Sequence, residues 1–182
     1  MSDTPWWDPT RHADRRPLLL ARNRAQAAIR QWLAEQEFTE VDPAGLVPSP
    51  GNEAHLHAFE TRAIGNDGLA VPMYLHTSPE FAMKRLLAAG ETRIASFAHV
   101  WRNREIGPRH SAEFTMLEWY AAGLEYEGLM AETEALVREV ALQHRGGNLF
   151  ASRDIDVTAP FDRITVAEAF ERFANVPRRE ML

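Results

Sequence analysis

Apolar residues recur at helical spacing early in the chain. Leu18, Ala21, Ala25, Ile29, Trp32 and Leu33 fall on one face, which predicts an amphipathic helix over residues 18–38. Phe38-Thr39-Glu40-Val41-Asp42-Pro43 then reads as a strand that ends at a proline, and residues 47–51 as a proline-punctuated loop. Looser alternation over 55–64 and again over 69–75 predicts two strands around a Gly65-Asn66-Asp67-Gly68 turn. Thr77-Ser78-Pro79-Glu80 has the form of a helix start, with a Thr77-x-x-Glu80 capping box and proline at the first helical position. That helix runs over 79–89 and stops at Gly90. Two strand-like stretches follow, 94–101 and 113–120, joined by a polar loop. A long helix is predicted over 126–144, with Leu129, Met130, Val137, Val140 and Ala141 on one face. Residues 146–160 are linker-like, and Thr165-x-x-Glu168 caps a last short helix through Phe173.

The fold class this pattern predicts is α+β, an antiparallel sheet flanked by helices. At 182 residues and 45% hydrophobic, the chain suits one sizeable core, so a single domain is expected: a tail over 1–17, a main body over 18–145, and a linker with a short helix over 146–182. The net charge of −6 argues against a surface that grips nucleic acid through a general basic field. With no cysteine, disulfides and thiolate metal sites are excluded. No stretch approaches the roughly 20 apolar residues of a membrane span, and no signal-peptide run opens the chain, so the expected compartment is the cytoplasm. His55-x-His57 lacks a third ligand, and no metal site is expected.

The chemistry concentrates in 94–120. Side chains alternate along a strand, so Phe114, Met116, Glu118 and Tyr120 share one face. Burying a carboxylate among apolar and aromatic neighbours is costly unless a cation or strong donors meet it, which makes Glu118 with Tyr120 a candidate ammonium receptor. On the preceding strand Ser96, Ala98, Val100 and Arg102 share a face, ending in a guanidinium whose planar fork suits a phosphate. By pattern alone, an arginine and a glutamate on neighbouring strands are more often a structural ion pair than a site. Phe114 and Tyr120 are then core aromatics, and Glu80 a helix cap.

Trp101-Arg102-Asn103-Arg104-Glu105 and Arg109-His110-Ser111-Ala112-Glu113-Phe114-Thr115-Met116-Leu117-Glu118-Trp119-Tyr120 resemble motif 2 of class II aminoacyl-tRNA synthetases in its lysine-type form. Thr77-Ser78-Pro79-Glu80 with Met83-Lys84-Arg85-Leu86 resembles the substrate-binding segment of the same group, and residues 38–43 resemble motif 1, which builds a dimer interface. Within the group the resemblance is greatest to the elongation factor P–(R)-β-lysine ligases, and the wording of residues 77–87 and 116–120 is closer to these than to aspartyl or asparaginyl enzymes. The short run before motif 1, with no anticodon-binding barrel, points the same way. The resemblance implies the following roles. Arg102 holds the ATP α-phosphate and stabilises charge as the substrate carboxylate attacks. Asn103, Arg104, Glu105 and Ser111 lie along the nucleotide, and Phe114 stacks on adenine. Glu80 receives the amino group nearer the substrate carboxylate, Glu118 with Tyr120 the distal ammonium, and Ser78 and Pro79 lie beside the substrate. It further implies ATP as substrate, elongation factor P as partner, a homodimer, and no tRNA.

The sequence departs from the family pattern in three places. Arg104 stands where a glutamate is usual, with Glu105 next to it, so Glu105 takes over only if the loop shifts register. Ser111-Ala112 replaces the usual Asn-Pro. No G-x-G-x-G-x-D-R, the form of motif 3, occurs, and the Mg2+ ligands of the family are missing with it. These residues alone are expected to be inactive. Two alternatives stay open at this stage: a piece of a lysyl-tRNA synthetase catalytic core, and a non-catalytic binding or dimerisation module derived from one.

Overall fold

A computed structural model describes residues 4–142 and 156–177. The elements in chain order are α1 (Pro9–Glu35), β1 (Thr39–Glu40), β2 (Leu46–Val47), β3 (Phe59–Ile64), β4 (Ala70–Leu75), α2 (Glu80–Ala88), β5 (Arg93–Trp101), β6 (Glu113–Ala121), α3 (Tyr126–Leu142) and α4 (Val166–Ala174). They fall into two compact units, Gln26–Ala131 on one hand and Met1–Ala25 with Glu132–Leu182 on the other.

In the Gln26–Ala131 unit, β5 and β6 pair antiparallel along their whole length, with Ser96 opposite Glu118 and Val100 opposite Phe114. β1 adds to the free edge of β5 in parallel, Thr39 opposite Ile94. One face of this three-stranded sheet is covered by apolar residues: Leu33, Phe38 and Ala95 form a buried cluster, against which Ile29, Trp32, Leu117, Trp119 and Ala121 pack. Alternation therefore puts Ser96, Ala98 and Val100 of β5, and Phe114, Glu118 and Tyr120 of β6, on the opposite face. A second sheet, in the order β2-β4-β3, is wholly antiparallel. Its β3–β4 hairpin turns at Gly65–Gly68, where Gly68 takes a φ of 76° that a side chain would resist. α2 is anchored by Met83, which is 0% exposed.

In the other unit, Arg138 of α3 donates to the carbonyls of Val157 and Ala159 at 3.1 and 2.7 Å and pairs with Glu134 at 2.5 Å. The expected capping box of α4 is formed, Thr165 Oγ1 accepting from Glu168 N at 3.2 Å and Glu168 Oε2 from Thr165 N at 2.6 Å.

The fold is the α+β arrangement expected, with differences that have local causes. α1 begins at Pro9 rather than at residue 18, so much of the expected tail is helical. Asp8 Oδ1 accepts from Thr10 N and Arg11 N at 3.0 and 3.1 Å, a side-chain cap with proline at the first helical position, and the helix continues through Pro17. It stops at Glu35 rather than 38, because Glu37 adopts a left-handed φ of 61° and Phe38 N bonds Leu33 O at 2.9 Å. That closure is usually a glycine's, and no glycine marks it here. Val47, read as the start of a loop, joins Leu46 in the short strand β2 against β4. The Thr77–Glu80 capping box is not made: Thr77 Oγ1 donates to Pro50 O at 3.0 Å, and the Glu80 amide instead donates to Ser78 Oγ at 3.0 Å. Residues 143–144 of the predicted helix and 146–155 of the linker lie outside the described residues.

Candidate active site

The β5–β6 hairpin and the start of α2 bring the expected substrate-binding residues together. Ser78 Oγ, which accepts from the Glu80 amide at the entry to α2, donates its own proton to Glu118 Oε1 at 2.5 Å. Tyr120 donates its phenol proton to Glu118 Oε2 at 2.9 Å. One carboxylate is thus held by two hydroxyls, one from the α2 entry and one from its own strand face. The Tyr120 phenol is pushed well above its usual range, first by burial and then by its hydrogen bond to Glu118 and that group's charge. It therefore remains a protonated donor. Among the described residues Glu118 has no salt-bridge partner from the protein, so the structural Arg102–Glu118 ion pair that the bare pattern favoured is not formed.

Glu80 lies at the same end of α2. Its Oε1 accepts from Lys84 Nζ one turn later, at 2.5 Å, and Lys84, which the sequence left as part of a solvated face, is 57% exposed. Pro79 is fully buried and fixes the approach of the chain to α2.

Arg102 follows β5 directly. Its Nε donates to Thr77 O at 3.4 Å, and its guanidinium carbon lies 5.4 Å from the centre of the Phe114 ring, within cation–π range. The loop after it turns sharply at Arg104. Arg104 has a left-handed φ of 66°, an unusual backbone for a residue with a side chain, and is exposed. The turn it makes brings Glu105 Oε2 to 4.0 Å from Arg102 Nη1. Asn103 is tied down through its backbone, its N–H donating to His57 O at 2.6 Å, while its Oδ1 accepts from Arg104 N at 2.9 Å. Asn103 and Arg104 border a cleft of about 480 Å³ that Pro50, His57 and Tyr74 also line. Ser111 is exposed at the loop, away from the Ser78–Glu118–Tyr120 bonds.

The partners that sequence reasoning missed are mostly backbone atoms: the Thr77, His57 and Ala112 carbonyls, the last accepting from Arg102 N at 2.8 Å. A carbonyl carries no residue signature, so no motif announces it. Lys84 was detectable, since a glutamate four residues before a lysine on a helix is a known pairing. Among the described residues no three His, Asp or Glu side chains lie together as a metal-ligand cluster. No helix among them is long and apolar enough to cross a membrane.

A carboxylate held by two hydroxyls and an arginine 5.4 Å from a phenylalanine ring thus lie at the β5–β6 hairpin and the entry to α2. Residues 4–181 match the family model described as tRNA synthetases class II (D, K and N), and the chain belongs to that family. It is 36% identical over 161 residues to a lysine–tRNA ligase of Paraburkholderia phymatum, covering 87% of this chain and 31% of that protein. To a lysine–tRNA ligase of Bordetella bronchiseptica it is 37% identical over 157 residues, 85% of this chain and 30% of the relative. The chain thus spans about a third of the length of these relatives.

Proposed function

We propose that these residues supply the amino-acid and α-phosphate half of a site that activates a lysine-type amino acid with ATP. The observation that carries the reading is Glu118, a carboxylate served by Ser78 and Tyr120 hydroxyls with no salt bridge to a cation among the described residues. A substrate ammonium is the complement it lacks. Arg102, beside Phe114, then stabilises the α-phosphate charge as the substrate carboxylate attacks, and Phe114 stacks on adenine. Asn103, Arg104, Glu105 and Ser111 follow the nucleotide, and Glu80 takes the nearer amino group. Magnesium, which the family implies, would neutralise phosphate charge when bound.

The acyl acceptor on our reading is a lysine side chain of elongation factor P, with (R)-β-lysine as the amino acid and the cytoplasm as the setting. What supports it is the wording of residues 77–87 and 116–120, which is closer to those ligases than to aspartyl or asparaginyl enzymes. The names of the relatives support tRNA as acceptor equally well. Incubating the polypeptide as its gene encodes it with ATP and labelled (R)-β-lysine or lysine, offering elongation factor P and tRNA separately, distinguishes the two. Label on elongation factor P is expected, and label on tRNA alone would overturn that acceptor.

Arg102→Ala is expected to lower ATP–pyrophosphate exchange by roughly a hundredfold or more, whichever amino acid is supplied, because a donor aimed at developing charge is lost. A loss confined to one amino acid would show that Arg102 does not serve the nucleotide. A homodimer through α1 and the strand after it is also expected. Leu18, Leu19 and Leu20 are 72%, 44% and 40% exposed on α1, an apolar run that association would cover. Sedimentation should give twice the chain mass, and a concentration-independent monomer would exclude the dimer.

A further inference from the structure

Ser96 is 1% exposed, yet its hydroxyl has no hydrogen-bond partner among the described residues. Leaving a buried hydroxyl unsatisfied is expensive, so each such group calls for a reason. Its position supplies one. Ser96 stands directly across the β5–β6 ladder from Glu118, on the same face as Tyr120. Side chains so paired have Cβ atoms about 5 Å apart and touch the same space.

The proposal rests on the lysine-type reading of Glu118 and follows from counting donors. An ammonium brings three N–H donors and no acceptor. Each Glu118 oxygen already accepts one hydroxyl proton, from Ser78 or from Tyr120. Ser96 Oγ is an acceptor beside them that nothing else engages. We propose that Ser96 is a further binding residue of the distal ammonium site, its Oγ accepting a hydrogen bond from the substrate ammonium alongside Glu118. Its small side chain and its free lone pairs are both required there, and a larger residue would close the space in front of Glu118.

The test uses the polypeptide as its gene encodes it, with L-lysine and ATP as separate probes in calorimetry and in thermal melting. Ser96→Ala should weaken lysine binding roughly tenfold, as expected for a hydrogen bond to a charged group. It should leave ATP binding within about twofold, and it should leave the melting temperature unchanged or raised, since an unsatisfied buried group has been removed. Unchanged lysine affinity in Ser96→Ala would overturn the proposal. So would a sharp fall in melting temperature with both ligands affected alike, which marks a structural hydroxyl. If Ser96→Ala does not fold, Ser96→Cys, close in volume and a poor acceptor, is read by the same criteria. Glu118→Gln is run beside it. Weakening by Glu118→Gln without weakening by Ser96→Ala removes Ser96 and leaves the lysine reading standing, whereas no effect of Glu118→Gln removes both.

Discussion

Replacing Glu118 by glutamine is expected to weaken a lysine-type amino acid by roughly ten- to a hundredfold while leaving ATP affinity nearly unchanged. The measurement is amino-acid-dependent exchange and direct binding, in a catalytically complete polypeptide that includes residues 4–181. Glutamine preserves shape and keeps one acceptor oxygen. The hydroxyls of Ser78 and Tyr120, now at 2.5 and 2.9 Å from the carboxylate, can each rotate to suit an amide. What the substitution removes is charge. A charge-assisted contact is worth about 1.5–3 kcal/mol, and about 1.4 kcal/mol is tenfold in binding. Because Glu118 balances no arginine or lysine by a salt bridge among the described residues, no protein cation is left stranded, and stability should change little. A steep fall in melting temperature, with ATP and amino acid affected alike, would instead make Glu118 a structural group.

Met83→Ala is expected to be the most damaging single change to the fold in this region. Met83 is 0% exposed on α2, the helix that Glu80 opens and Ser78 precedes. Truncating a buried methionine costs about 2–5 kcal/mol, through lost transfer free energy and the cavity left behind. Domains hold only about 5–15 kcal/mol of net stability, and in a chain of this size each kcal/mol moves the melting temperature by roughly 2–4 °C. A drop of roughly 4–20 °C in a thermal melt is expected, and Met83→Leu, close in volume, should recover most of it. A shift under about 1 °C for the alanine variant would mean that α2 is not held by this side chain.

These two residues illustrate how unevenly the sequence revealed the molecule. Met83 and Glu118 both stand in recognisable motif wording, and each falls where a period places it. The alternation over 113–120 alone assigned Leu117 and Trp119 to one sheet face and Phe114, Glu118 and Tyr120 to the other, and the pairing of β5 with β6 agrees. The capping box of α4 was readable for the same reason, since its partners are only three residues apart.

Where local sequence carried the information, the physics was local: strand alternation, helix period, and caps within one turn depend on a few neighbouring dihedrals. Tertiary structure alone decided which of several chemically reasonable partners each polar group took. Thr77 had a capping role open to it within three residues, and chose instead the carbonyl of Pro50, 27 residues back. Ser78 took the Glu80 amide and reached Glu118, 40 residues on. Arg102 turned to Thr77 O and to Glu105, the latter through a left-handed Arg104 that no glycine announced. A hydroxyl or guanidinium satisfies its hydrogen bonds equally well with many acceptors, so its choice is set by which strands and helices packing brings within 3 Å or so. That is a property of the assembled core, and residue order expresses it only through the fold.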